Sequence, residues 1–117
     1  MPDFSKAARD VLAERERQMK EEGYTPAHDD NHVHGELALA AALYALPYEA
    51  TLGGEPLLKQ DDFIGLHMAL ELACAPGWDL KPEPDIRKRL VKSGALILAE
   101  IERLDRISIS IAKPSNG

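Results

Sequence analysis

Apolar residues near the start of the chain recur at every third or fourth position: Phe4, Ala8, Val11, Leu12 and Met19. That spacing predicts an amphipathic helix from Asp3 to about Glu22, with Gly23 as its stop. Continuing the stripe past Val11 reaches Arg15 and Gln18, so the inward face turns polar towards the helix end. Two readings stay open there: the end emerges into water, or these side chains line a polar pocket. Residues 23–31, GYTPAHDDN, have turn composition, and Asp29, Asp30 or Asn31 is expected to cap a second helix from about His32 to Leu46. The centre of that helix, GELALAAALYAL, is apolar on almost every face, the pattern of a central helix.

Two prolines and a Gly-Gly pair make residues 47–60 a predicted loop. Asp61 or Asp62 then caps a shorter third helix to about Cys74, which Pro76 and Gly77 end. The segment WDLKPEP reads as extended, because a residue before proline avoids the α region. Asp85 is the expected N-cap of a long last helix to about Arg106, whose middle, SGALILAEI, packs on the second helix. The expected fold is therefore all-α: a small bundle of about four helices, two of them central and apolar. Residues 1–106 form a single helical domain in this reading, followed by a tail, 107–117. In the tail Ile107, Ile109 and Ile111 alternate with serine at the period of a strand. A short strand needing a partner, or a helix end followed by a disordered tail, both fit, and the second is favoured.

Composition narrows the function more than the fold. The 117 residues are 44% hydrophobic and 29% charged, which is ordinary for a folded protein and argues against wholesale disorder. Cys74 is the single cysteine, so neither an internal disulfide nor a cysteine zinc cluster is available. MPDFSKAARD has no apolar signal core and no run reaches a membrane span, so a cytoplasmic location without membrane contact is expected. A net charge of −6 argues against binding nucleic acid through phosphates regardless of sequence.

The densest polar cluster is HDDNHVHGE, holding three of the four histidines and three carboxylates in nine residues. On a helix beginning near Asp29, residues Asp29, His32 and Glu36 share a face. One turn earlier, His28, His32 and Glu36 do. Asp29, Asp30 and Glu36 are thus a candidate metal set, weighed against a capping turn with solvated histidines. A second candidate is the basic start of the last helix, where Arg87, Lys88, Arg89 and Lys92 crowd a helix N-terminus suited to phosphate, or else form a solvated face. Glu100, Glu102 and Asp105 form a third cluster, interleaved with Arg103 and Arg106 as a charged face would be. His67 and Trp78 read as packing residues and Cys74 as a small buried one. No glycine-rich phosphate loop, GxSxG or HExxH is present.

Two blocks, RERQMKEEGYTPAHDDNHVHGELALAAALYA (15–45) and WDLKPEPDIRKRLVKSGALILAEIERLDR (78–106), resemble a family of small bacteriophage and prophage accessory proteins. The resemblance implies action in the cytoplasm of a bacterial host and does not imply a reaction. Glu102-x-x-Asp105 is also similar to the second acidic motif of the MazG-like all-α nucleotide pyrophosphohydrolases, whose upstream ExxE has no clean counterpart here. Two functions follow as expectations. In the leading one the protein binds a phosphate-bearing small molecule, a nucleotide or a cyclic-nucleotide immune signal, and sequesters it through Arg15, Gln18, His28, His32, Arg89 and Lys92. In the other, Asp29, Asp30, Glu36, Glu100 and Asp105 hold Mg or Mn for nucleoside triphosphate hydrolysis. A protein-binding inhibitor of a host defence complex is a third, and a homo-oligomer is left open.

Overall fold

In the computed structural model, residues 3–46, 51–52, 55–56 and 83–112 are described. The fold is all-α. Helix α1 spans Lys6–Glu21, α2 Pro26–Asp30, α3 Glu36–Ala45 and α4 Ile86–Ala112. A two-residue antiparallel pair, β1 (Thr51–Leu52) and β2 (Glu55–Pro56), sets Thr51 opposite Pro56 and Leu52 opposite Glu55. The expected helix from Asp61 or Asp62 to Cys74, its stop at Pro76 and Gly77, and the readings of His67 and Trp78 lie outside the described residues. So do residues 113–117 of the tail.

Helix starts follow local chemistry. Ser5 caps α1 by accepting from the Ala8 N–H at 3.1 Å. Phe4, expected on the inward stripe, precedes this cap and is exposed. The stop at Gly23 is as expected: it takes φ +76, and the Tyr24 N–H turns back to the Gln18 carbonyl at 2.9 Å. Asp85 caps α4, its Oδ1 accepting from the Lys88 N–H at 2.9 Å and its carbonyl from Arg89.

The second expected helix needs correction. It begins at Glu36, not His32, and none of Asp29, Asp30 and Asn31 caps it. Thr25, followed by Pro26 at the first helical position, starts the separate short α2, and Asp29 and Asp30 form its end. Gly35 at φ +86 then starts α3 without a side-chain cap. The tail is corrected too: α4 runs past Arg106 to Ala112, so its Ile-Ser alternation is not a strand. A helix satisfies its backbone within one segment, whereas an isolated strand needs a neighbour.

As expected, α3 and α4 are central. Leu37, Ala40, Ala41 and Leu43 meet Leu96 and Ala99, and the alanines let the two backbones approach. Ser93 reaches across to donate to the Ala41 carbonyl at 2.8 Å. Helix α1 lies on another side of α4, where Val11 packs so closely over Gly94 that a Cβ there would sit 3.2 Å from its methyls. No helix among the described residues is long and apolar enough to cross a membrane.

Candidate functional site

The polar end of α1 faces inward, and its two buried side chains, Arg15 and Gln18, diverge. The reading in which this end emerges into water is overturned. Arg15 spreads its guanidinium over three elements. Nη2 donates to Asp29 Oδ2 of α2 at 2.9 Å, Nη1 to the Tyr24 carbonyl at 2.9 Å, and Nε to Glu102 Oε1 of α4 at 3.0 Å. Asp29 is wholly buried, and its other oxygen lies 3.0 Å from His28 Nδ1. His28 stacks on Tyr24, with ring centroids 4.9 Å apart, and meets the His32 ring at 4.3 Å. His32 Nδ1 lies 2.9 Å from the His28 carbonyl, an acceptor only, so a proton sits on that nitrogen. Arg106 anchors the outer edge through Asp30 at 2.7 Å.

This cluster is a strut between α1, α2 and α4. A buried carboxylate persists only when paired, and here the pairing is complete on both oxygens. The candidate metal set does not converge. Asp29 belongs to Arg15 and His28, Asp30 to Arg106, and Glu36 accepts the His34 N–H with both oxygens at 3.2 Å. The break between α2 and α3 separates His28 and His32 from Glu36, so neither expected stripe forms. Among the described residues no group of three or more His, Cys, Asp or Glu is arranged to hold a metal ion. In the third cluster Glu102 turns to Arg15 and Glu100 to Arg103 at 2.6 Å, so Glu102 and Asp105 do not act as a pair.

Gln18 points the other way. Its Nε2 donates to Glu14 at 3.2 Å and to the Lys92 carbonyl at 3.5 Å, while its buried Oε1 has no donor among the described residues. Beside it is a cavity of about 20 Å³, framed by Tyr24, Tyr44, Lys92 and Leu96, enough for about one water molecule. Glu14, Arg17, Glu22 and Lys92 border both this cavity and an open groove of about 580 Å³ between α1 and the start of α4. Ala13 and Val91 supply the groove's apolar surface, and Asp10, Arg87 and Lys88 its outer edge.

Arg17 organises this side. It grips Glu14 with two nitrogens, at 2.7 and 2.8 Å, and reaches Glu22 at 3.1 Å and Glu21 at 3.2 Å. Burial pushes the Glu14 carboxyl up, but hydrogen bonds from Arg17 and Gln18 and the charges of Arg17 and Lys92 bring it below its usual value. The hydrogen bond to Glu14 outweighs burial and raises Arg17. Tyr44 is pushed up to about 12, by burial first and then by Tyr24, Glu22 and Glu14. Lys92 stands 3.7 Å from Glu83 and 5.7 Å from the centre of the Tyr44 ring.

The six expected ligand residues thus divide. Arg15, His28 and His32 belong to the strut, where Asp29 and Glu102 neutralise Arg15. Arg89 is buried and donates to the Leu46 carbonyl at 3.3 Å. Gln18 and Lys92 alone adjoin the cavity, and of these Lys92 also borders the groove. Sequence reasoning missed Arg17, Glu22 and Tyr44. The i, i+3 and i+4 spacing in ERERQMKEE signals ion pairs but not the neighbour they face. No protein-family model, curated protein or solved structure matches the chain.

Proposed function

We propose that the chain is a binding protein for a phosphate-bearing small molecule, a nucleotide or cyclic nucleotide, held in the groove between α1 and the start of α4. The observation that carries this reading is the convergence of Arg17, Arg87, Lys88 and Lys92 on that one groove. Its volume of about 580 Å³ falls in the usual range for small-molecule sites, roughly 300–1,000 Å³. Asp10 and Glu14 already have partners in Arg87 and Arg17, which limits repulsion of an anion. Lys88 is exposed and makes no ion pair with any described residue, so its charge is available. Holding rather than converting the ligand is favoured because Asp29, Asp30 and Glu100 of the hydrolase reading are committed to separate ion pairs. In a phage accessory role, such binding would sequester a host nucleotide signal.

Thermal unfolding of the purified protein against nucleoside triphosphates and cyclic nucleotides, with and without magnesium, tests the proposal. A ligand at 100 times its dissociation constant adds about 2.7 kcal/mol. The stabilisation should vanish in Lys88→Glu/Lys92→Gln, and the ligand should be recovered intact by chromatography. Absence of a shift with every nucleotide, or a shift that the double variant retains, overturns the assignment.

A further inference from the structure

Helix α4 is covered by α3 on one side and α1 on another, while a third side is apolar and no other described element packs along it. Ile86, Leu90, Ile97, Ile101 and Leu104 are each between 47% and 51% exposed. At 3.6 residues per turn all five fall within an arc of about 60°. Leu90, Ile97, Ile101 and Leu104 follow one another at steps of seven, four and three, the spacing of a helix seam that packs against another helix. The buried aliphatic core of the described residues, by comparison, has only Leu37, Leu43 and Leu96 besides alanines.

We propose that this face of α4 packs antiparallel against the same face of a second copy of the chain. Area and charge both favour that occupant. Five half-exposed aliphatic side chains present roughly 400 Å², so two copies with their flanking atoms reach about the 1,000 Å² of a specific interface. The stripe is centred near Ile97, which places the two-fold axis there and makes the surface self-complementary. Arg87 and Asp105, both exposed, lie on the same flank of the stripe, towards its opposite ends. In an antiparallel pair residues on one flank face each other, so Arg87 of each copy meets the other's Asp105. In a parallel pair the same flank of the two copies lies on opposite sides of the seam, so Arg87 and Asp105 do not meet. Arg87 already holds Asp10 at 2.8 Å while staying half-exposed, so it can serve both carboxylates.

Sedimentation equilibrium of the whole chain reads this directly. Twice the chain mass at micromolar concentration is expected. Ile97→Glu, which sets two carboxylates at the axis, should raise the dissociation constant at least about thirtyfold, as loss of a hot-spot contact does. Retained helical circular dichroism keeps that result distinct from unfolding. In a Cys74→Ser background, Ile97→Cys should oxidise to a linked dimer while Leu12→Cys, exposed on α1, should not. Arg87→Asp should weaken the dimer and Arg87→Asp/Asp105→Arg restore it. A chain that stays monomeric, a dimer indifferent to Ile97→Glu, or failure of Ile97→Cys to cross-link overturns the proposal.

Discussion

Replacing Arg15 with methionine tests whether the strut holds the fold together. Methionine keeps the length and apolar stem of the side chain but removes all three donors. The consequences differ by partner. Glu102 is half-exposed, so water replaces the lost contact and the cost is under about 1 kcal/mol. The Tyr24 carbonyl, in a half-buried turn, loses one neutral acceptor's bond, a cost of about 1 kcal/mol. Asp29 has no such recourse. Its side chain is fully buried, and only His28 Nδ1 remains within reach at 3.0 Å. Breaking a buried pair from one side costs about 3–5 kcal/mol, because a charge is stranded without its counterion. Against a total stability of about 5–15 kcal/mol that is a large fraction. At roughly 4 °C per kcal/mol the melting temperature should fall by about 12–20 °C.

Urea unfolding followed by circular dichroism measures the loss, with an unchanged m-value showing that the transition stays the same. Arg15→Met/Asp29→Leu carries the discriminating power. With neither charge present nothing is stranded, so the double variant should recover most of the stability that Arg15→Met loses. Glu102→Gln should stay within about 1 kcal/mol of the parent. A loss below about 1 kcal/mol for Arg15→Met, or simple additivity in the double variant, would falsify the strut.

Two further outcomes are expected. Tyr44 should ionise late, near pH 12, as ultraviolet difference absorbance would show, and Tyr44→Phe should remove that late phase. Because its folded value lies above the ordinary 10, its contribution is complete below pH 10 and lost as pH rises towards 12, so Tyr44→Phe should flatten the stability profile there. Gly35→Ala should cost about 1–2 kcal/mol by denaturant unfolding, since Gly35 sits at φ +86. A Cβ there meets nothing within 4 Å, so Gly35→Asn, which tolerates that conformation better, should cost less, and an equal loss would point to packing instead.

What could be read from the sequence follows how local each determinant is. Ser5, Gly23 and Asp85 act on neighbours three or four residues away, and each end of α1 and the start of α4 lie within three residues of expectation. Periodicity puts Arg15 and Gln18 on the inward stripe of α1 but leaves open whether that end stays in the core, and packing against α2 and α4 decides it. The start of α3 was misplaced because three capping residues, Asp29 to Asn31, outweighed the Thr25-Pro26 start signal four residues earlier. Every inference from the spacing of His28, His32 and Glu36 depended on an unbroken helix and failed with it. The tail admitted two readings for a related reason. Ile107 and Ile111 are four apart as well as alternating with serine, so one pattern fits both periods. Nor does a helix that is apolar on several faces reveal which of them a neighbour covers. Ile97 and Ile101 fall in the stretch expected to pack on the second helix, yet α1 and α3 lie on other sides of α4 and leave both about half-exposed.

The cluster that stands out most strongly in the sequence is the strut rather than the groove, and desolvation accounts for that. A buried ion must have its counterion supplied by the same chain, so Arg15, His28, Asp29 and Glu102 need definite partners at definite distances. Such a group is conspicuous in composition because folding requires it, whatever the protein binds. Groups that meet a solute work under the opposite constraint. They must stay in water until a ligand arrives, so under the proposed function Lys88 resembles any surface lysine, and Arg17 any member of a helical ion-pair series. Convergence is what distinguishes them. Asp10, Glu14 and Arg17 come from α1, Arg87, Lys88 and Lys92 from α4, and they share one groove because Val11 seats against Gly94, more than eighty residues away along the chain. No window of sequence spans that contact, so the groove becomes visible only once the packing is known.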